Sequence, residues 1–152
     1  MIRVNVEIHN KYWLTKIINP KKYFIRKVNK IKKLIKFING KNVTFTILLT
    51  NSSNIKKLNK KFRNKNKPTD VLSFPYFEKK KLKYIKQKNF YLGDIAISYE
   101  IVNLRSKKKN FILEFDKVWI HGFLHLLGYD HINNKDYFKM DRIEKKILNS
   151  IS

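Results

Sequence analysis

Three of the four histidines in this chain fall within eleven residues, in the run His121-Gly122-Phe123-Leu124-His125-Leu126-Leu127-Gly128-Tyr129-Asp130-His131. On a helix, residues four apart share a face, so His121 and His125 can reach one point in space. Zinc accepts such imidazole pairs at ~2.0–2.1 Å, and catalytic zinc sites add a further protein ligand while keeping a place for water. Continued helix would carry a third histidine away. Gly128 permits a reversal, and His131, three residues on, can swing back to complete the set. The spacing H-x-x-x-H-x-x-G-x-x-H is shared with the metzincin proteases. Three ionisable rings in the most apolar stretch of the chain would each need a polar partner, which suits a metal better than three core histidines. His9 fits no such pattern and reads as a strand or turn residue.

One position limits the chemistry. Zinc proteases of this spacing carry a glutamate after the first histidine as general base, and this chain has Gly122 there. A bound ion would still lower the pKa of a water to ~7 and polarise a phosphoryl or carbonyl oxygen. The expectation is a zincin-like scaffold whose reaction need not be proteolysis. Cysteine is absent, which removes disulfides, thiolate ligands, iron–sulfur clusters, a Cys nucleophile and the ligand pattern of zinc deaminases, and suits a reducing compartment.

The elements that must position the histidines can be read from periodicity. Val4, Val6 and Ile8 alternate as a half-buried strand, and Val43 to Leu49 reads as a central one. Helical spacing from Lys21 to Ile38 predicts a helix opened by Pro20 and closed by Asn39-Gly40. Asn51 or Ser52 can cap a short helix bearing Ile55, Leu58 and Phe62. Arg63 to Asp70 reads as irregular, Val71 to Phe74 as a brief strand stopped by Pro75, and Tyr76 to Phe90 as a surface loop or hairpin. A strand over Leu92 to Ser98 and a modest helix from Tyr99 to about Ser106 follow. Phe111 to Leu127 turns apolar almost all round, as a helix in the middle of a domain does, with Gly128 as its cap. A last amphipathic helix from about Asn134 carries Tyr137, Met140, Ile143 and Ile147. At 152 residues, with no repeat and no linker, the expectation is one α+β domain over 1–152, a small mixed sheet against helices with a central metal-binding helix.

The formal net charge is +24. Lysine and arginine at this density suit a polyanionic partner such as nucleic acid. Lys, Asn, Ile, Phe and Tyr dominate while alanine occurs only at Ala96, so compositional drift explains the charge equally well and both readings stand. The N-terminus alternates instead of forming an apolar core, so no signal peptide is expected. No run approaches the ~18 apolar residues of a membrane helix. The expected location is the cytoplasm.

The histidine run closely resembles the signature of the YbeY family of bacterial endoribonucleases. Two further blocks support this, in the family's order: Leu58-Asn59-Lys60-Lys61-Phe62-Arg63 leading to Pro68-Thr69-Asp70-Val71-Leu72-Ser73-Phe74-Pro75, and Leu92-Gly93-Asp94-Ile95 followed by Ile97-Ser98. The resemblance implies a zincin-like fold, one zinc ion on His121, His125 and His131, and cleavage of single-stranded RNA rather than DNA. It further implies a role in ribosomal RNA maturation, notably at the small-subunit 3′ end, and in ribosome quality control. The family's arginine aligns with Arg63, where a guanidinium can clamp a phosphate and offset developing charge. Without the resemblance Arg63 is an ordinary arginine in a basic stretch. Asp130 suits a turn after Gly128 or a partner to a ligand histidine; Asp70 and Asp94 suit structural ties near strand starts, and Glu144 a solvated or locally paired site. Two alternatives use the same triad: a zinc peptidase or amidase, which lacks its glutamate at Gly122, and a noncatalytic ribosome-binding module with structural zinc, which lacks the usual fourth ligand.

Overall fold

The alternating apolar runs become strands and the 3.6-residue runs become helices in a computed structural model that describes residues 1–152. Strands β1 (Ile2–Ile8), β2 (Asn42–Thr50), β3 (Val71–Pro75) and β4 (Asn89–Ser98) pair in the order β1-β2-β4-β3. The β1–β2 and β2–β4 pairs are parallel, and β3 runs antiparallel to β4. Parallel neighbours require crossovers. The first is made by α1 (Trp13–Lys16) and α2 (Pro20–Ile31), and α3 (Ser52–Arg63) leaves β2 on the way to β3. Short α4 (Lys79–Leu82) lies between β3 and β4, and α5 (Tyr99–Arg105), α6 (Phe111–Leu126) and α7 (Asn134–Ile151) complete the chain. The result is a small α+β domain with a four-stranded mixed sheet and seven helices.

Because side chains alternate across a strand, the two sheet faces bury different partners. Val43, Phe45, Ile47 and Leu49 of β2 enter the main core with Phe24 of α2 and Trp119 and Phe123 of α6. The opposite face receives Ile55 of α3 against Leu72 and Ala96. α6 is buried on nearly every side, as its composition required, and Asn110 caps it by accepting from the Ile112 and Leu113 amides. Asp116 of α6 is itself buried and fully engaged. It accepts from the Tyr23 hydroxyl, from Trp119 Nε1 at 2.8 Å and from Lys27 Nζ at 2.9 Å. Burial first, and the Asp116 carboxylate second, push the Tyr23 phenol well above its ordinary range. Lys27 Nζ also donates to the Ile151 carbonyl at 2.8 Å, so one network ties α2, α6 and the end of α7.

Two segments differ from the sequence reading. The expected helix from Lys21 to Ile38 stops at Ile31 and gives way to 3-10 turns over Lys32–Leu34 and Lys36–Ile38, with Ile35 extended between them. The break lets both Ile35 and Ile38 bury in the core, so tertiary packing overrides helical propensity. Tyr76 to Phe90 is not only surface: α4 buries Leu82, and Phe90 already belongs to β4. Helix α1, at four residues, is too short for a periodic sequence signal; buried Trp13 holds it by donating from Nε1 to the Thr50 carbonyl at 2.9 Å. No helix is long and apolar enough to cross a membrane.

Candidate metal centre

The last turns of α6 present His121 and His125 on one face, and the chain then reverses. Gly128 takes φ +81°, a conformation favourable to glycine. The Gly128 amide bonds the His125 carbonyl at 3.0 Å and the Tyr129 amide bonds the Leu124 carbonyl at 3.0 Å, closing the helix. Asp130 Oδ1 accepts the His131 amide at 2.8 Å, the turn role anticipated for it. The reversal brings the His131 ring to 5.7 Å from that of His121 and 5.1 Å from that of His125, centroid to centroid. One ligand nitrogen from each of the three lies within 4.8 Å of the others.

The hydrogen-bond partners fix what these rings offer. His125 Nδ1 stands 3.0 Å from the Tyr129 carbonyl, which can only accept, so Nδ1 carries the proton and Nε2 is left bare. His121 Nδ1 stands 3.4 Å from a carboxylate oxygen of Glu144, which selects the same tautomer. The two Nε2 atoms then face each other at 3.1 Å. Two bare lone pairs at that distance repel unless a cation or proton lies between them. Nitrogens each at ~2.0–2.1 Å from a common tetrahedral ion stand about 3.4 Å apart, close to the spacing observed. Burial first, then the neighbouring His121 and His131, hold the His125 imidazole below its ordinary pKa, favouring the neutral, ligating form. The donor set therefore fits a divalent ion such as zinc.

The histidines open into a cleft of about 340 Å³ that is also lined by Arg63, Asp70, Ser73, Arg105, Glu114, Lys117 and Glu144. Arg63 is the last residue of α3. Asn64 ends that helix in the left-handed conformation at φ 55°, and Asn59 Nδ2 holds the loop beyond it through the Lys67 carbonyl at 2.8 Å. Sequence reasoning missed the position of Glu144, which is half-buried and paired with His121, 23 positions away, rather than solvated or locally paired. Its only sequence signal is a place on the core-facing side of α7, one residue after Ile143. Asp70 ties the start of β3 as expected, accepting from the Val71 amide at 2.8 Å, but it also enters the cleft. Asp94 is not at a strand start: it lies within β4, bonded by the Tyr91 hydroxyl at 2.6 Å, and takes no part in the cleft lining.

Gly122 faces the sheet. A Cβ there would come within 2.9 Å of Ile95 Cγ2 and 3.1 Å of Ser73 Oγ and Val71 Cγ2. Ser73 Oγ donates to the Gly122 carbonyl at 3.1 Å. The position that a zinc peptidase gives to its glutamate is here a packing contact with no room for a carboxylate.

Comparison with known proteins gives a consistent result. A family model described as Endoribonuclease YbeY matches residues 7–152. The protein named Endoribonuclease YbeY from Pelagibacter ubique is 53% identical over 156 residues, covering 99% of this chain and 97% of that protein. The one from Thermodesulfovibrio yellowstonii is 33% identical over 167 residues, covering 99% of both. Among solved structures, the solution structure of TM1509 from Thermotoga maritima superposes with a TM-score of 0.63 at 28% identity, covering 99% of this chain and 89% of that one.

Proposed function

We propose a function from the premise that this chain belongs to the Endoribonuclease YbeY family. The family is one of RNA-cleaving hydrolases, which break phosphodiester bonds, and RNA is the partner that activity requires. On that basis residues 1–152 form one zincin-like hydrolase domain that binds one zinc ion through His121, His125 and His131 and cuts single-stranded RNA. The observation that carries the reading is the pair of Nε2 atoms facing each other at 3.1 Å, with both Nδ1 atoms engaged, in the same cleft as Arg63.

Zinc, when bound, would supply acidification of water and polarisation of a phosphoryl oxygen. The chain's own residues do the rest. Arg63 clamps two non-bridging phosphate oxygens and stabilises charge as the phosphorus–oxygen bond breaks. Glu144 and the Tyr129 carbonyl keep two imidazoles in the ligating tautomer. Gly122 leaves the peptidase alternative without its base. Family membership further supports a role in ribosomal RNA maturation at the small-subunit 3′ end and in ribosome quality control, in the cytoplasm and on the ribosome.

The test is cleavage of single-stranded RNA by the purified protein together with its metal content. The expected result is about one zinc per chain and cleavage that is lost on chelation and in His125→Ala. A His125→Ala protein that cuts at the wild-type rate would remove the proposal.

A further inference from the structure

We propose that Arg105 is a second phosphate-binding residue of the cleft, gripping the RNA backbone at a phosphate adjacent to the one being cut. The proposal rests on the endoribonuclease reading and extends it to how the strand is held. Arg105 ends α5 and Arg63 ends α3, yet both line the cleft that contains the three histidines.

Arg105 is aimed rather than free. Its Nη1 bonds Asp70 Oδ2, while Asp70 Oδ1 accepts the Val71 amide at 2.8 Å and the Thr69 hydroxyl at 3.1 Å. The carboxylate is thus fixed to the start of β3 and holds the guanidinium in place. A guanidinium has five N–H donors. Asp70 engages Nη1, and the side chain is 50% exposed, leaving donors for a ligand. An arginine already held in this way loses less side-chain freedom when it meets a phosphate. An ion pair this exposed adds little to stability, so positioning is the better account of it.

Lys117 lies on α6 one turn before His121 and lines the same cleft. Four residues of helix advance about 6 Å, so the Lys117 backbone stands about that far along the α6 axis from the backbone of His121. The cleft holds three carboxylates. Asp70 is bound to Arg105 and Glu144 to His121, which leaves Glu114 as the one without an ion-pair partner. Arg105 and Lys117 therefore add two cationic side chains to the cleft besides Arg63, and Arg105 is the one already oriented to hold an uncut phosphate.

The experiment uses a single-stranded RNA oligomer whose wild-type cut position has been mapped. Uncharged methylphosphonate linkages then replace each phosphate flanking the cut, one at a time. One such replacement is expected to lower wild-type kcat/KM about tenfold. Arg105→Gln should be down by a similar factor on the normal oligomer and insensitive to that replacement. Binding of the same oligomer to the metal-free protein, checked to leave the strand intact, gives a readout independent of catalysis. The slope of log K against log salt should weaken by about 0.7 in Arg105→Gln and stay unchanged in Arg26→Gln on the exposed face of α2. Thermal midpoints serve as the fold control, with Arg105→Lys as the milder variant. An unchanged slope, or an Arg105→Gln enzyme as sensitive to the uncharged linkage as wild type, overturns the proposal. A slope change in a protein that cuts no RNA keeps the phosphate subsite and removes the nuclease reading.

Discussion

At the scale of single residues, the site depends on which nitrogen of each imidazole carries a proton. The Tyr129 carbonyl settles this for His125 and Glu144 for His121. Partners of this kind are typically worth 10–100-fold in metal affinity. Glu144→Ala is therefore expected to weaken zinc binding by that factor in a chelator competition, with the thermal midpoint of the metal-free protein little changed. His125 carries a testable pH dependence. Its folded pKa is depressed, so protonation favours the unfolded chain. The stability that neutral His125 preserves is full above the unfolded value of about 6.5 and is lost as pH falls below it. Urea midpoints of the metal-free protein should fall between pH 7.5 and 5.5, and by less in His125→Phe. Arg63→Lys keeps the charge but not the two-pronged grip, so RNA cleavage should drop in Arg63→Lys nearly as far as in Arg63→Ala.

At the scale of elements, α6 does two jobs with neighbouring faces. One face carries His121 and His125, and the next lets Gly122 approach β3 and β4 closely enough that a Cβ has no space. Gly122→Glu would force a carboxylate into that contact and is expected to cost more than about 2 kcal/mol in urea unfolding without creating peptidase activity. The reversal after α6 is equally specific. Gly128 holds φ +81°, and a Cβ there would come within 2.9 Å of Leu82 Cδ1 in α4. Gly128→Ala should cost roughly 1 kcal/mol or more and weaken zinc binding by displacing His131. Measured affinity equal to wild type would mean that the turn does not set the third ligand. α4 thus has a purpose that its lysine-rich sequence concealed, because Leu82 packs beneath the turn.

At the scale of the whole molecule, the network around Asp116 clamps α2, α6 and the end of α7 together. Breaking a buried, hydrogen-bonded ion pair by removing one partner strands the other charge, at about 3–5 kcal/mol. Asp116→Ala should lower the urea midpoint accordingly, and because α7 carries Glu144, zinc affinity should fall with it. The sequence by itself determined whatever is local along the chain. The three clustered histidines fall within eleven residues, the strand and helix periods are short, and Gly128 acts on its immediate neighbours, so spacing and propensity sufficed. Packing alone decided the rest. Glu144 meets His121 across 23 positions of sequence and Asp70 meets Arg105 across 35, and α2 breaks at Ile31 only because the core has places for Ile35 and Ile38. No local pattern encodes such approaches, since which helix face meets which strand depends on how the whole chain buries its apolar surface.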